Sequence, residues 1–241
     1  MSERVRPARP HHQWNDEGRR VREVVTYSRR GNRFTPKQQV AWDTYAQEWV
    51  IPESAVDEAD FSWEQWFGRR APLIVEIGGG VGEATAALAA ARPEYNVLSL
   101  EVWLPGIAES LGRVGEAGAN NVRFSSVDAV WTLAHLLDEE SVSELWTFFP
   151  DPWRKTRHHK RRLVNAENAA LAASRLTRGG WWRLATDWGE YADQMRDVLS
   201  AEPLLGGGET QRWNERPVTK FERKGIAAGR AITDVAYQRR R

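Results

Sequence analysis

Residues 76–83 read Glu-Ile-Gly-Gly-Gly-Val-Gly-Glu and join a short apolar run, Leu73 to Ile77, to a helical pattern that begins at Glu83. Glycines at such a junction let backbone approach a ligand closely, and the carboxyl end of the first strand of an α/β sheet is where nucleotide-like ligands bind. A dinucleotide fingerprint needs glycines at G-x-G-x-x-G. Here Glu83 follows Gly82, so the spacing is G-x-G-x-G, which suits S-adenosylmethionine better than NAD. Gly78 and Gly80 are therefore candidate cofactor contacts. Glu101 closes the next apolar run about 20 residues on, where a carboxylate can accept both hydroxyls of a ribose. Glu76 stands near the end of the first strand, where its charge would attract the ammonium and sulfonium groups of the cofactor. Asp128 follows the third strand at a helix start, and either caps that helix or accepts from an adenine amino group.

A second chemically dense stretch begins at Phe148-Phe149-Pro150-Asp151-Pro152-Trp153 and continues through Arg154, Lys155, Thr156, Arg157, His158, His159, Lys160, Arg161 and Arg162. It places an acid between prolines at the end of a strand, beside aromatic and basic side chains. A charge run alone is a solvated helix start. At the ligand edge of a sheet it becomes a phosphate-contacting surface, able to hold RNA over a reacting group.

The elements that must carry these residues follow from periodicity. Short apolar runs at Leu73–Ile77, Val97–Glu101, Val122–Ser125, Glu144–Phe149 and Trp181–Thr186 alternate with helical patterns at Glu83–Ala91, Pro105–Ala117, Ala129–Leu137, Arg162–Leu176 and Trp188–Leu199. This alternation is the pattern of βαβ units around a parallel sheet. A Gly-broken stretch with Gly206-Gly207-Gly208 precedes a closing strand near Ala231 to Tyr237. Before the sheet, a helix after Pro36 carries Val40, Tyr45 and Trp49, and Phe61, Trp63, Trp66 and Phe67 are expected to pack on the core. Residues 1–33 read as a flexible basic arm and 34–241 as one domain, divided into a helical extension (34–70), a cofactor-binding core (71–200) and a substrate-side segment (201–241).

Composition narrows the chemistry. The chain has no cysteine, which excludes thiol nucleophiles, Cys-ligated zinc and Cys-ligated iron-sulfur clusters. Methyl transfer through a covalent Cys adduct or a cluster-based radical is excluded with them, while direct displacement onto a lone pair is not. Net charge is only +1, but basic residues gather in the first 33 positions, at 154–162 and at 239–241, and Glu53, Asp57, Glu58 and Asp60 form an acidic stretch. No apolar run approaches the roughly 20 residues of a membrane helix, and a cytoplasmic protein without membrane or metal partners is expected. The oligomeric state, monomer or homodimer, stays open.

Taken together, EIGGGVGE (76–83), LEV with a following Pro-Gly (100–106), FFPDPWRKTRHHKRRLV (148–164), ATDW (185–188) and RPVTKFERKG (216–225) resemble the bacterial tRNA (guanine-N7)-methyltransferases, in order and spacing, over roughly residues 20–238. The resemblance implies a Rossmann-like class I S-adenosylmethionine-dependent methyltransferase: an α/β fold with a mostly parallel seven-stranded sheet and helices on both faces. It also implies methylation of N7 of guanosine 46 in the variable loop of tRNA. By similarity Glu76, Glu101, Asp128 and Asp151 line the cofactor site and Asp151 is catalytic. Lys155, Asp187, Thr219, Lys220, Phe221 and Glu222 contact substrate, and Arg157, His158, His159, Lys160, Arg161 and Arg162 form the RNA-contacting surface. Asp187 either accepts from guanine N1 or N2 donors or caps the helix after it. This chain departs from the family at Gly79 and Val81, where a bulky pair is common, and at Trp103, where His is frequent.

Overall fold

The computed structural model describes residue 9, residues 24–28 and residues 31–241. Most of the expected basic arm thus lies outside the described residues. Eight strands form one sheet: β1 (Val50–Ile51), β2 (Leu73–Ile77), β3 (Asn96–Leu100), β4 (Val122–Ser125), β5 (Val142–Phe148), β6 (Leu176–Thr186), β7 (Leu205–Thr210) and β8 (Thr233–Arg239). Their order is β1-β4-β3-β2-β5-β6-β8-β7. Pairing is parallel up to β6, and β8 then runs antiparallel to both β6 and β7. The expected seven strands become eight because Val50 and Ile51, directly after the first helix, pair with Phe124 and Ser125 at the edge.

Helices α1 (Pro36–Trp49), α3 (Glu83–Ala90) and α4 (Leu104–Glu116) pack on one another, as do α5 (Ala129–His135), α6 (Ala166–Arg175) and α7 (Gly189–Ala201); α2 (Trp63–Phe67) and α8 (Lys220–Ala227) complete the set. The period-2 alternation of β2 divides the core between the two faces. Ile74 joins the cluster of Leu88, Ile107, Leu111 and Trp146, whereas Val75 and Ile77 join that of Trp131, Ala169, Trp182 and Tyr191. Phe67 is buried in the second cluster and Phe61, Trp63 and Trp66 pack against it, as expected of them. On α1 the expected stripe is partly wrong: Val40 is exposed, and the buried positions are Gln38, Ala41 and Trp49, with Tyr45 stacked on Trp49.

Two elements escape a periodicity reading. The Gly206-Gly207-Gly208 stretch is strand β7, not a break. At Gly207 a Cβ would fall 2.1 Å from the carbonyl oxygen of Ala236 on β8, so the strand tolerates only glycine at its closest approach. The helix α8 lies in a polar segment and starts at Thr219, whose Oγ1 caps the Glu222 N–H.

Because β2 has β3 on one side and β5 on the other, the chain order reverses at β2 and the glycine loop leaves the sheet at a topological switch point. The far half of the sheet is locked by a buried ion network. Arg216, 1% exposed, donates to Glu222 Oε2 on α8 (2.6 Å) and to both oxygens of Asp234 on β8 (2.9 and 3.2 Å). Arg212 holds the other Glu222 oxygen at 2.9 Å. Burial pushes the Glu222 carboxyl up, but the Arg212 hydrogen bond and the Arg216 charge outweigh it and hold the group below its usual value.

Replacing Arg216 with Ala leaves buried Asp234 without its ion partner and Glu222 with Arg212 alone, and is expected to cost about 3–5 kcal/mol of unfolding free energy in urea titration. Since Glu222 is depressed in the folded state, the network's contribution is complete above the usual carboxylate range and fades as pH falls through the lower folded value. A loss below about 1 kcal/mol would place the network among interactions of surface strength.

Candidate active site

The carboxyl ends of β2, β3 and β5 open into a cleft lined by the glycine loop, Glu101 and the residues that follow β5. Its floor is the glycine loop. Gly78 and Gly80 take φ of 80° and 60°, conformations that side chains rarely adopt, and a Cβ on Gly78 would meet nothing, so the loop presents bare backbone to the cleft. Glu101 orders this floor from the end of β3. Its Oε2 accepts from the Gly80 N–H and its Oε1 from the Trp103 N–H, both at 2.8 Å. A carboxylate accepts about four hydrogen bonds in all, which makes Glu101 the acceptor group of the cleft floor. Leu100, Val102, Val127 and Ala129 supply an apolar wall, and Phe148, Phe149, Pro150 and Asp151 close the opposite end.

Asp151 is placed by a constrained loop. The Phe149 N–H donates to Ala185 O at 2.7 Å as β5 ends, and Phe149 and Trp153 then adopt φ of 53° and 43°. Left-handed backbone at non-glycine residues costs on the order of 1 kcal/mol each and persists where surroundings impose it. Pro150 and Pro152 fix two of the three intervening φ angles. The Arg216 guanidinium lies 5.5 and 5.4 Å from the ring centroids of Phe148 and Phe149, so the buried ion network also supports this loop. The result is a partly exposed Asp151 on the cleft wall, with no hydrogen bond or ion pair among the described residues.

Sequence reasoning missed the third wall. Thr26, Tyr27 and Ser28 line the cleft, as a segment held by its backbone carbonyls. Arg161 donates to Val25 O (2.9 Å) and Tyr27 O (2.6 Å), Trp153 Nε1 donates to Thr26 O (3.0 Å), and the Arg161 guanidinium lies 3.5 Å from the Trp153 ring centroid. Trp103 Nε1 reaches Gly31 O at 2.9 Å, which gives the unusual Trp at this position a partner. Carbonyl capture leaves no mark in the captured sequence, so no signal in residues 24–28 announces it.

The other expected site residues divide. Glu76 lies beneath the loop and does not line the cleft: it is 3% exposed, its Oε2 accepts from Ser99 Oγ (3.1 Å) and Thr85 Oγ1, and a Cβ on Gly79 would sit 2.2 Å from Ser99 Oγ. That crowding accounts for glycine at position 79 of this chain. Asp128 caps α5, its Oδ1 accepting from the Trp131 N–H at 2.9 Å, so the capping alternative is the one seen. Asp187 is not a helix cap, since Trp188 occupies that place; its Oδ2 accepts two bonds from Arg230 at 2.9 and 2.7 Å. Phe221 lines the cleft, Lys155 and Lys220 are exposed, Thr219 caps α8, and Glu222 is buried in the Arg216 network and so cannot face a substrate.

The basic run also splits. Its first part is a 3-10 turn, Thr156–Arg161, and the helix expected from Arg162 begins only at Ala166. Arg157 and Lys160 are exposed and His158 and His159 partly so. Arg161 is occupied by the 24–28 segment. Arg162, 1% exposed, donates to Pro152 O (2.9 Å) and Gln194 Oε1 (2.6 Å), so it braces the Asp151 loop and is no RNA contact. The acidic stretch has an intramolecular partner: Arg9 donates to Asp57 Oδ1 at 2.7 Å and Glu53 O at 2.8 Å.

Comparison with known proteins decides the family. Residues 70–235 match a family model described as "Putative methyltransferase". The tRNA (guanine-N(7)-)-methyltransferase of Nocardioides sp. (strain ATCC BAA-499 / JS614) is 64% identical across 98% of this chain and 95% of its own length. That of Cutibacterium acnes (strain DSM 16379 / KPA171202) is 48% identical across 92% and 86%. The chain belongs to the bacterial tRNA (guanine-N7)-methyltransferase family. Among solved structures, the 16S rRNA methyltransferase KamB superposes with a TM-score of 0.54 at 15% identity, covering 76% of this chain and 94% of its own, which supports the class I methyltransferase fold. As a member of this family the protein is a methyltransferase whose cofactor is S-adenosylmethionine. The bare glycine loop, the Glu101 carboxylate and the apolar wall fit that molecule. Among the described residues no cluster of metal-ligating side chains occurs, and no helix is long and apolar enough to cross a membrane.

Burial pushes the Glu76 carboxyl up from 4.5 to about 7, against the hydrogen bonds from Thr85 and Ser99. Between those values the folded state holds a proton that the unfolded state has lost, so stability falls as pH rises through the window and levels off above it. Thermal unfolding of the cofactor-free protein between about pH 5 and pH 8 should show this decline, by up to about 1.4 kcal/mol per unit. In Glu76→Gln the decline should vanish; an identical decline in both proteins would assign it to another group.

Proposed function

We propose that the protein transfers the methyl group of S-adenosylmethionine to N7 of guanosine 46 in the tRNA variable loop, giving 7-methylguanosine and S-adenosylhomocysteine. One observation carries this reading: Asp151, a carboxylate without a partner among the described residues, lines the same cleft as the Gly78 and Gly80 backbone and Glu101. The relatives' shared name supports N7 of a tRNA guanine as the target.

The cofactor supplies an electrophilic methyl group on a sulfonium. Guanine N7 offers an in-plane lone pair and carries no proton, so the protein needs to orient the base more than to deprotonate it. The base gains positive charge as the methyl arrives. Asp151, fixed by its prolines and by Arg162 beneath, stabilises that charge without having to reorganise. Phe221 offers a partly exposed ring at the cleft rim for the base to pack on, at 40% exposure. Asp187 keeps its second oxygen for a guanine donor while Arg230 holds the first. Lys155 and Lys220, both exposed, are the cations of the substrate-side set, and Thr219 acts through its cap on α8. Residues of the 24–28 segment narrow the cleft and exclude water.

Arg157 and Lys160 are the phosphate contacts of the basic run. His158 is disfavoured as a cation: partial burial, then the cations Arg157, Lys155, Arg161 and Lys160, hold its imidazole below the usual value.

Incubation with S-adenosylmethionine and unmodified tRNA transcript, followed by nucleoside analysis, is expected to yield 7-methylguanosine that disappears when guanosine 46 is replaced. Asp151→Asn should lower single-turnover methyl transfer by about 10²–10³-fold with tRNA still bound; near-normal turnover would remove Asp151 from the chemistry. In tRNA binding measured against salt, Arg157→Ala and Lys160→Ala should each flatten the log–log slope by about 0.7–0.9. Arg161→Ala should leave the slope unchanged, and a larger effect there than at Arg157 would return Arg161 to the RNA surface.

A further inference from the structure

Glu83, the residue whose presence breaks the dinucleotide spacing, faces away from the cleft floor and bonds across to another element. It is the first residue of α3, directly after Gly82, which takes φ of 78°. A Cβ on Gly82 would lie 2.7 Å from the Ser110 Cα on α4, so the loop is wedged between helices and the position of Glu83 is set by backbone packing. One carboxylate oxygen, Oε1, accepts from Arg223 Nη2 at 2.6 Å, and the other, Oε2, accepts from the Lys220 N–H. Both donors belong to α8. The same helix touches the loop again at Phe221, whose ring would be 3.8 Å from a Cβ on Gly80.

At its other end α8 is fixed to the end of β6. Gly225 packs so closely that a Cβ there would be 2.9 Å from the Asp187 Cβ, and Arg230, just beyond the helix, holds Asp187. The helix therefore bridges the glycine loop, on which a cofactor rests, and the strand end that faces a substrate. Of its contacts with the loop, only Glu83 supplies charge. Burial alone would raise that carboxyl; the hydrogen bonds from Arg223 and Lys220, then the charges of Arg223 and Arg113, hold it below its usual value, so it stays ionised.

We propose that Glu83 is a positioning residue that couples the two ligands: by capping and ion-pairing α8 from the glycine loop, it makes cofactor occupancy of the loop set the placement of the substrate-side helix. The inference rests on the function proposed above, with S-adenosylmethionine on the glycine loop and tRNA at α8. Coupling of this kind is reciprocal and is read as a ratio of affinities.

The test uses the full chain with S-adenosylhomocysteine and unmodified tRNA transcript. The wild type is expected to bind tRNA about fivefold or more tighter with saturating S-adenosylhomocysteine than without it. In Glu83→Ala this ratio should fall toward one while S-adenosylhomocysteine affinity changes less than about twofold, an outcome that a general loss of structure would not give. Glu83→Gln keeps an acceptor for the Lys220 N–H but loses the ion pair, and should give an intermediate ratio. It also provides the test if the Ala variant does not fold. Arg223→Ala combined with Glu83→Gln should add little to either single change. A ratio unaltered in both Glu83 variants, or equal losses in both ligand affinities, overturns the proposal. A wild type that binds S-adenosylhomocysteine but shows no ratio sinks the coupling and leaves the proposed function standing, whereas failure to bind S-adenosylhomocysteine at all removes both.

Discussion

The guanidinium of Arg216 has no route to water and is held by carboxylates from two different elements, Glu222 on α8 and Asp234 on β8. Taking an ion out of water costs several kcal/mol, and that cost is offset only when geometry satisfies its donors. Here the donors are satisfied, and the faces of Phe148 and Phe149 complete the enclosure. Three parts that must agree in space therefore meet at one group: the antiparallel end of the sheet, the helix at the cleft rim, and the turn that presents Asp151. Neither the sheet end nor the helix can shift alone without unpairing a buried charge, and the turn rests on the same guanidinium through its aromatic rings.

A division of labour follows within the basic run. Neighbouring arginines of one composition do opposite things, because each is pointed by the 3-10 turn at a different environment. Arg162 turns inward under the Asp151 loop, Arg161 sideways onto the carbonyls of residues 25 and 27, and Arg157 outward. Only an outward arginine retains the solvated charge that displaces counterions from a polyanion.

What could be read from the sequence was what is local. The glycine loop, its helix and Glu101 are encoded within 30 residues of one another, and the sheet's parallel half alternates cleanly with helices, so both were legible. Strand β7 was not, because its three glycines signal a break until Ala236 is known to lie against them. The burial of Glu222 and the ion pair of Asp187 were hidden for a related reason: residue type reveals that a carboxylate is present, not that Arg216, six residues away, is itself buried by its pairing with Asp234 on β8, nor that Arg230 arrives from 43 residues along the chain to occupy Asp187. The wall formed by Thr26 to Ser28 was least legible of all, since its partners recognise main chain.

The crowding at Gly79 bears on how such a loop can change over evolutionary time. Its missing Cβ would fall on Ser99 Oγ and reach Glu76 Oε2 at 3.0 Å, so positions 76, 79 and 99 share one small volume. A side chain cannot be gained at 79 while Ser99 and Glu76 remain as they are. Space has to be released at 99 first, which gives the substitutions a required order. With Ser99 in place, this chain is held to glycine at 79 by its own third strand, independently of what the loop binds.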